Sequence, residues 1–443
     1  MRIIEAGNRA ALESALARDR AADRAFDRRV AAIVERVRRD GDAALFRFAR
    51  RFDGVSPPLE VSADEIRAEA ARAPADVRRA IRQAARHIAR VARRQIPRRW
   101  DLRVAPGVSV EQRVEPLTRV GCYVPGGRFP LPSSLLMTAV PARVAGVREI
   151  VVACPRPEPS VMAAALEAGV TRLFRVGGAH AIAALAYGTD TVPRVDKIVG
   201  PGNRYVAAAK ALVSADCAID FYAGPTEIVI VAGSGRAEWI AADLVAQAEH
   251  DPEARSIFIT WSGALAERVR AAVAQRAAGR AIVERSLAGH GVVIVTRTPG
   301  EAMAVANRLA PEHLVVDREA LARGPVTAGA LFIGAFTAQA AGDYATGSNH
   351  VLPTAGAGRA RGGLSAADFV RVMSVQRVTR AGLALLAPTI LPLARAEGLR
   401  AHAESVEVRL ARSRPKRGNA RRPAAEAGTR GDGTGWSPAS VDK

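Results

Sequence analysis

A chain of 443 residues with 49% hydrophobic content is long enough for two or more domains with a large core, and too apolar to stay disordered. The formal net charge of +20 raises nucleic acid as a partner. The arginines, however, are spread along the polar faces of expected helices, with no aromatic platform between them, so a solvated basic surface is the plainer reading and no nucleic acid is expected. Cys122, Cys154 and Cys217 make no CxxC pair, which argues against a disulfide framework and predicts buried free thiols. The N-terminus has no secretory apolar region and no run is long enough to span a bilayer, so a soluble cytoplasmic protein with no membrane partner is expected.

Residues 1–118 read mainly as helices. One helix starts near Pro74 with Val77, Ile81, Ile88 and Val91 at helical spacing and ends by Pro97; His87 lies off that stripe and reads as solvent-facing. From Arg119 short apolar strands alternate with Ala-rich helices. The strand at 119–124 is followed by the turn Pro125-Gly-Gly127 and a helix that Ser133 or Ser134 caps. Strands at 149–154 and 173–176 follow, the second running into Gly177-Gly178. Then come Lys197-Ile-Val-Gly-Pro-Gly-Asn203 and Ala218–Pro225. The rhythm repeats after Thr226, with strands at 228–231, 256–260, 292–295 and 313–316. This alternation predicts an α/β fold of two Rossmann-like doubly wound halves, whose carboxyl strand ends face one crevice. The expected segments are a helical region at 1–118 packing on the second half, a first half at 119–226 and a second at 227–364. A helical segment at 365–412 and a disordered basic tail at 413–443 complete the chain.

The dinucleotide fingerprint GxGxxG is not met, since Gly233-Ser-Gly and Gly356-Ala-Gly each lack the third glycine. The glycine turns at 125–127, 177–178 and 200–203 sit at strand ends, where backbone N–H groups can meet phosphates. Four of the seven histidines fall in polar clusters: His250, His313, His350 and His402. Glu312-His313 sets a carboxylate beside an imidazole at a helix-to-strand boundary, suited to proton transfer near neutral pH. The Gly-punctuated loop from Gly342 carries Asp343 and His350, and Glu397 and His402 share a late helix. Gln247 and His250, three apart, read as one face of a helix end that Asp251-Pro252 stops. Imidazole and carboxylate suit zinc, so His250, Asp343 and His402 are ligand candidates. On that chemistry Gln247 ranks below Glu249 or Asp251.

Taken together, several stretches resemble histidinol dehydrogenases. They are Gly121-Cys-Tyr-Val-Pro-Gly-Gly127, Val199-Gly-Pro-Gly-Asn203, Ala223-Gly-Pro-Thr-Glu227, Gln247-Ala-Glu-His250 and Ala310-Pro-Glu-His-Leu314, followed by Gly342-Asp-Tyr-Ala345 with Asn349-His-Val-Leu-Pro-Thr354, and Glu397-Gly-Leu-Arg-Ala-His402. They run in the family's order, and only the tail after about residue 412 lies outside the likeness. The resemblance implies two-step, NAD-dependent oxidation of L-histidinol to L-histidine, with one zinc ion per subunit held by Gln247, His250, Asp343 and His402. It implies that His313 is the general base and that Glu312 activates water. Thr226, His350 and Glu397 would contact substrate together with His313 and the four zinc ligands.

Tyr123, His180 and Asn203 match the family's NAD positions. Thr226 stands where many members have Ser, and His180 where Gln is usual. The resemblance further implies an intertwined homodimer in which segment 365–412, with Glu397 and His402, completes the partner's site. Two alternatives are a related zinc-dependent dehydrogenase of a sulfonated diol and, from another class, a basic nucleic-acid-binding protein.

Overall fold

The computed structural model describes residues 1–18, 23–126, 130–222 and 224–411, so the tail expected beyond 412 lies outside the described residues. The chain divides into two compact units, one of residues 1–100 and 112–374, the other of 101–111 and 375 onward.

The first unit holds two six-stranded sheets built to one plan. In one sheet the strand order is Glu60–Val61, Arg172–Phe174, Glu149–Ala153, Arg119–Tyr123, Lys197–Val199, Ala218–Ile219. In the other it is Arg2–Glu5, Val292–Val295, Arg255–Thr260, Glu227–Val231, His313–Val316, Ala330–Ile333. In each, the first strand of the repeat lies inside the sheet and the order reverses beside it. All pairings are parallel except that of Glu60–Val61 with Arg172–Phe174. Both faces of such a sheet must be covered, because successive side chains alternate between them. Val120, Cys122, Ile150 and Val152 meet one core, and Tyr123, Val151 and Ala153 the other. The second sheet does the same with Ile228 and Ile230 on one side and Val229 and Val231 on the other.

Residues 1–118 depart from the expectation that they form helices on the second half. Arg2–Glu5 is a strand at the edge of the second sheet, and the helix Arg9–Leu16 packs there through Leu12 and Ala15. The long helices pack on the first half instead. Arg24–Phe48 buries Val30, Val34 and Val37 against the helix Gly178–Tyr187, and Ala75–Gln95 buries Ile81, Ala85 and Ile88 against Pro132–Ala145. The amphipathic stripe of that last helix was legible in its spacing, but a stripe does not name the surface it will cover. Ser133 and Ser134 do not cap Pro132–Ala145; Pro132 opens it and both serines lie within its first turn.

The strands Trp100–Ala105, Val108–Pro116 and Val370–Val378 form a three-stranded sheet with Val108–Pro116 central, of which residues 101–111 and 375–378 fall in the second unit. Its hairpin turns at Gly107, whose φ of +76° suits glycine and whose missing side chain leaves room for Thr379. The expectation of helix from Asp368 onward therefore fails over 370–378. The run Val-Arg-Val-Met-Ser-Val is β-branched and pairs where a partner strand exists. The helices Arg380–Ala396 and Arg400–Leu410 follow. Among the described residues no helix is long and apolar enough to cross a membrane. All three cysteines are buried free thiols, with burial pushing Cys122 and Cys154 up to about 12 and Cys217 to about 11.

Candidate active site

Glu312 and His313 sit at the amino end of one strand of the second sheet, beside the amino end of its neighbour. His313 opens His313–Val316, Glu227 opens Glu227–Val231, and Ile228 pairs with His313. The main chain of Glu227 holds both groups. Its N–H donates to Glu312 Oε2 at 2.9 Å, and its carbonyl lies 3.2 Å from His313 Nδ1. A carbonyl only accepts, so Nδ1 carries the ring proton and Nε2 keeps its lone pair. Burial lowers the His313 pKa, with Asp343 and the Glu227 carbonyl opposing, so the ring is a neutral base at pH 7.

Glu312 is buried, and that burial pushes its pKa up to about 8 against the stabilising bonds from Thr226 and Glu227. Thr226 Oγ1 donates to Glu312 Oε2 at 2.6 Å and in turn accepts from the Gln247 amide, so a relay runs from amide through hydroxyl to carboxylate. The expectation that both halves present carboxyl strand ends to the site fails here. Glu312-His313 precedes the apolar run Leu314-Val-Val, so the fold leaves the pair at the start of the strand.

Asp343 lies on the short helix Gln339–Tyr344. Its Oδ1 is 3.9 Å from His313 Nε2, and its carbonyl accepts from His350 Nδ1 at 2.8 Å. Burial raises Asp343 to about 6 and lowers His350 to about 4. Gln339, which the sequence reading passed over, donates to Asp343 Oδ2 at 2.8 Å and lies 3.5 Å from His313 Nε2. Its place one helical turn before Asp343 was the available signal. His87 is not purely solvent-facing: it is half-buried and its Nδ1 donates to the Ala345 carbonyl at 2.5 Å, pinning the start of the same loop.

Gln247 is fully buried in the last turn of Ala237–Ala248, and its Oε1 has no hydrogen-bond partner. An orphaned amide oxygen in a polar cluster is what a missing cation leaves behind. Gln247 and His250 do not share one regular helical face, because the helix stops at Ala248 and His250 lies beyond its cap. His250 is exposed to solvent, yet enough protein surrounds it for desolvation to lower its pKa. It is also close enough to His313 and His350 for their charges to interact. Glu249 and Asp251, ranked above Gln247 on chemistry alone, have no such oxygen. Among the described residues no three His, Cys, Asp or Glu side chains gather tightly enough to hold a metal alone. The donor set Gln247, His250 and Asp343 thus fits a hard or borderline cation but is short of a full coordination shell. Glu397, which closes Arg380–Ala396, and His402, in Arg400–Leu410, are both exposed and belong to the second compact unit.

Tyr123, His180 and Asn203 lie at the carboxyl ends of first-sheet strands. Three amides of the glycine turns there are already engaged rather than free. Gly177 N–H donates to Asp53 Oδ2 at 3.0 Å, Gly178 N–H to Tyr123 Oη at 3.1 Å, and Gly200 N–H to Asp220 Oδ2 at 2.8 Å. Gly127 lies outside the described residues. His180 is buried against the stacked pair Phe48 and Phe52, its ring centroid 5.9 Å from each, and its Nε2 donates to Asp53 Oδ2 at 2.9 Å. Asn203 caps Arg204–Val213, its Oδ1 accepting from Tyr205 and Val206, which leaves its Nδ2 as donor.

Residues 16–410 match the family model described as histidinol dehydrogenase. The histidinol dehydrogenase of Methylococcus capsulatus is 46% identical over 414 residues, covering 90% of this chain and 95% of the relative. That of Caulobacter vibrioides is 48% identical over 396 residues, covering 87% and 92%. The crystal structure of histidinol dehydrogenase from Elizabethkingia anophelis matches with a TM-score of 0.87 at 32% identity, over 93% of this chain and 98% of that one.

Proposed function

The chain belongs to the histidinol dehydrogenase family, and from that premise we propose that it performs the last steps of histidine biosynthesis, the NAD-dependent oxidation of L-histidinol through histidinaldehyde to L-histidine. The observation that carries the reading is the cluster in which one residue's main chain holds Glu312 and His313 beside the unpartnered Gln247 oxygen. His313 Nε2 takes the hydroxyl proton as a hydride leaves the carbinol carbon for NAD. At the aldehyde stage Glu312, as carboxylate, takes a proton from the water that adds to the carbonyl, and a second hydride follows. One alcohol, two NAD and one water give one carboxylate, two NADH and three protons.

Gln247, His250, Asp343 and His402 would hold a zinc ion, which supplies a fixed positive charge that orients the substrate and offsets developing negative charge. These four residues, His313, Thr226, His350 and Glu397 form the substrate contacts in this reading, and Tyr123, His180 and Asn203 the NAD contacts. The reversal of strand order beside Arg119–Tyr123 supports a Rossmann-like dinucleotide half.

In the same reading the active molecule is an intertwined homodimer, with Glu397 and His402 acting on the partner's site. Two observations favour it. One chain lacks a complete metal cluster among its described residues, and the C-terminal segment exposes Leu385, Leu393, Leu399 and Val408, the last at 67%. The test is turnover of L-histidinol against sulfonated diols by the zinc-loaded protein. Preference for L-histidinol supports the proposal, and preference for a sulfonated diol refutes it.

A further inference from the structure

We infer that Arg18 and Glu227 form a clamp that positions the acid–base pair, an inference that rests on the roles given to Glu312 and His313 above. Glu227 is 2% exposed, and a buried carboxylate persists only when paired. Arg18 Nη2 lies 3.0 Å from both of its oxygens. The same nitrogen donates to the Leu309 carbonyl at 2.6 Å. Leu309 ends the helix Pro299–Leu309; the chain then passes through Ala310, at φ +46°, and Pro311 to Glu312 and His313. That left-handed alanine is a conformation held only by its surroundings. One guanidinium nitrogen therefore ties together the entrances of both strands that carry the pair.

Arg255, which opens the strand on the other side of Glu227–Val231, adds a second cation. Its charge interacts with Glu227, and its Nη2 donates to the Ala15 carbonyl at 2.7 Å, three residues before Arg18. Glu227 is thus fixed from the side of its carboxylate, while its main chain fixes Glu312 through N–H and the His313 tautomer through C=O. Neither Arg18 nor Glu227 takes a proton or meets substrate in this account. They are positioning residues: if the residue-227 main chain turns, Nδ1 loses its acceptor and the ring is free to adopt the other tautomer, which places the proton on the nitrogen that must act as base.

The test uses the zinc-loaded full chain, labelled with nitrogen-15 at histidine and free of substrate. The His313 signals are identified by their loss in His313→Gln. The native protein is expected to show one tautomer, protonated at Nδ1. Arg18→Met and Glu227→Gln are expected to show a mixture, with kcat for L-histidinol down about 10²-fold and KM nearly unchanged. Arg18→Lys keeps the cation on a shorter side chain that does not reach as far as Nη2, so it should fall between and remains informative where the harsher variants do not fold. An unchanged tautomer in folded variants, or a loss borne by KM alone, overturns the clamp. A shifted tautomer in a protein whose native form does not oxidise L-histidinol leaves the clamp standing and refutes the proposed function instead.

Discussion

Thr226→Val tests the relay that sets Glu312. The substitution keeps the shape of the side chain and removes the hydroxyl that donates to Glu312 Oε2 at 2.6 Å and accepts from Gln247. A hydrogen bond to a charged group contributes about 1.5–3 kcal/mol. At about 1.36 kcal/mol per decade, its loss slows a step that needs the carboxylate by roughly 10- to 150-fold. The sign in pH follows from the same bond. Burial raises Glu312 to about 8 and Thr226 pulls it down, so without the hydroxyl the carboxyl keeps its proton to higher pH. The rising limb of the aldehyde step should move up by about one to two pH units. The assay supplies histidinaldehyde directly and follows NADH, separating this step from alcohol oxidation. Thr226→Ser should recover most of the rate. A Val variant with the native aldehyde rate, or a Ser variant as slow as Val, would refute the relay.

Three further outcomes follow from the same geometry. Lys210→Met strands the buried Asp220 carboxylate and should cost about 3–5 kcal/mol in denaturant unfolding. Because Lys210 and Asp220 also hold the C=O and N–H of Gly200, at 3.0 and 2.8 Å, KM for NAD should rise more than KM for L-histidinol. Asp243 has its pKa raised to about 6 by burial, above the unfolded value, so its ionised form is disfavoured in the folded state. That penalty is absent below about pH 4, grows between about pH 4 and 6, and is constant above. Asp243→Asn should therefore raise Tm by about 2–4 °C at pH 7.5 and leave it unchanged at pH 4, read by calorimetry. Finally, mixing His250→Asn and His402→Asn subunits should restore some activity, since one hybrid site keeps every native ligand; nil activity despite proven subunit exchange would exclude a site shared between chains.

Much of the site was written locally, and what was not depends on where elements meet. Glu312-His313 stood out because an acid and an imidazole directly precede an apolar strand, and the fold leaves them at that strand's amino end. Local pattern could not say that the site in the second half would use amino rather than carboxyl strand ends, since that depends on what covers each edge. Ligand chemistry alone ranks Gln247 low; its orphaned oxygen becomes visible only when the whole cluster is assembled. Arg2–Glu5 is too short to announce a strand, and it becomes one by pairing with Val292–Val295, some 290 residues away. The strand Val370–Val378 was hidden for the same reason. Asp53 is invisible beside His180 in sequence because the contact spans 127 positions. Glu227 acts through its main chain, which no side-chain motif reveals.

The central claim is a four-electron oxidation at one site, and its most direct measure is the ratio of NADH to histidine formed from L-histidinol by the purified, zinc-loaded protein. The account predicts two NADH for each histidine, with that histidine lost in His313→Ala. It also predicts NADH formed from the alcohol but arrested at the aldehyde in Glu312→Gln. One NADH with no histidine from the native protein, or no turnover at all, would contradict it.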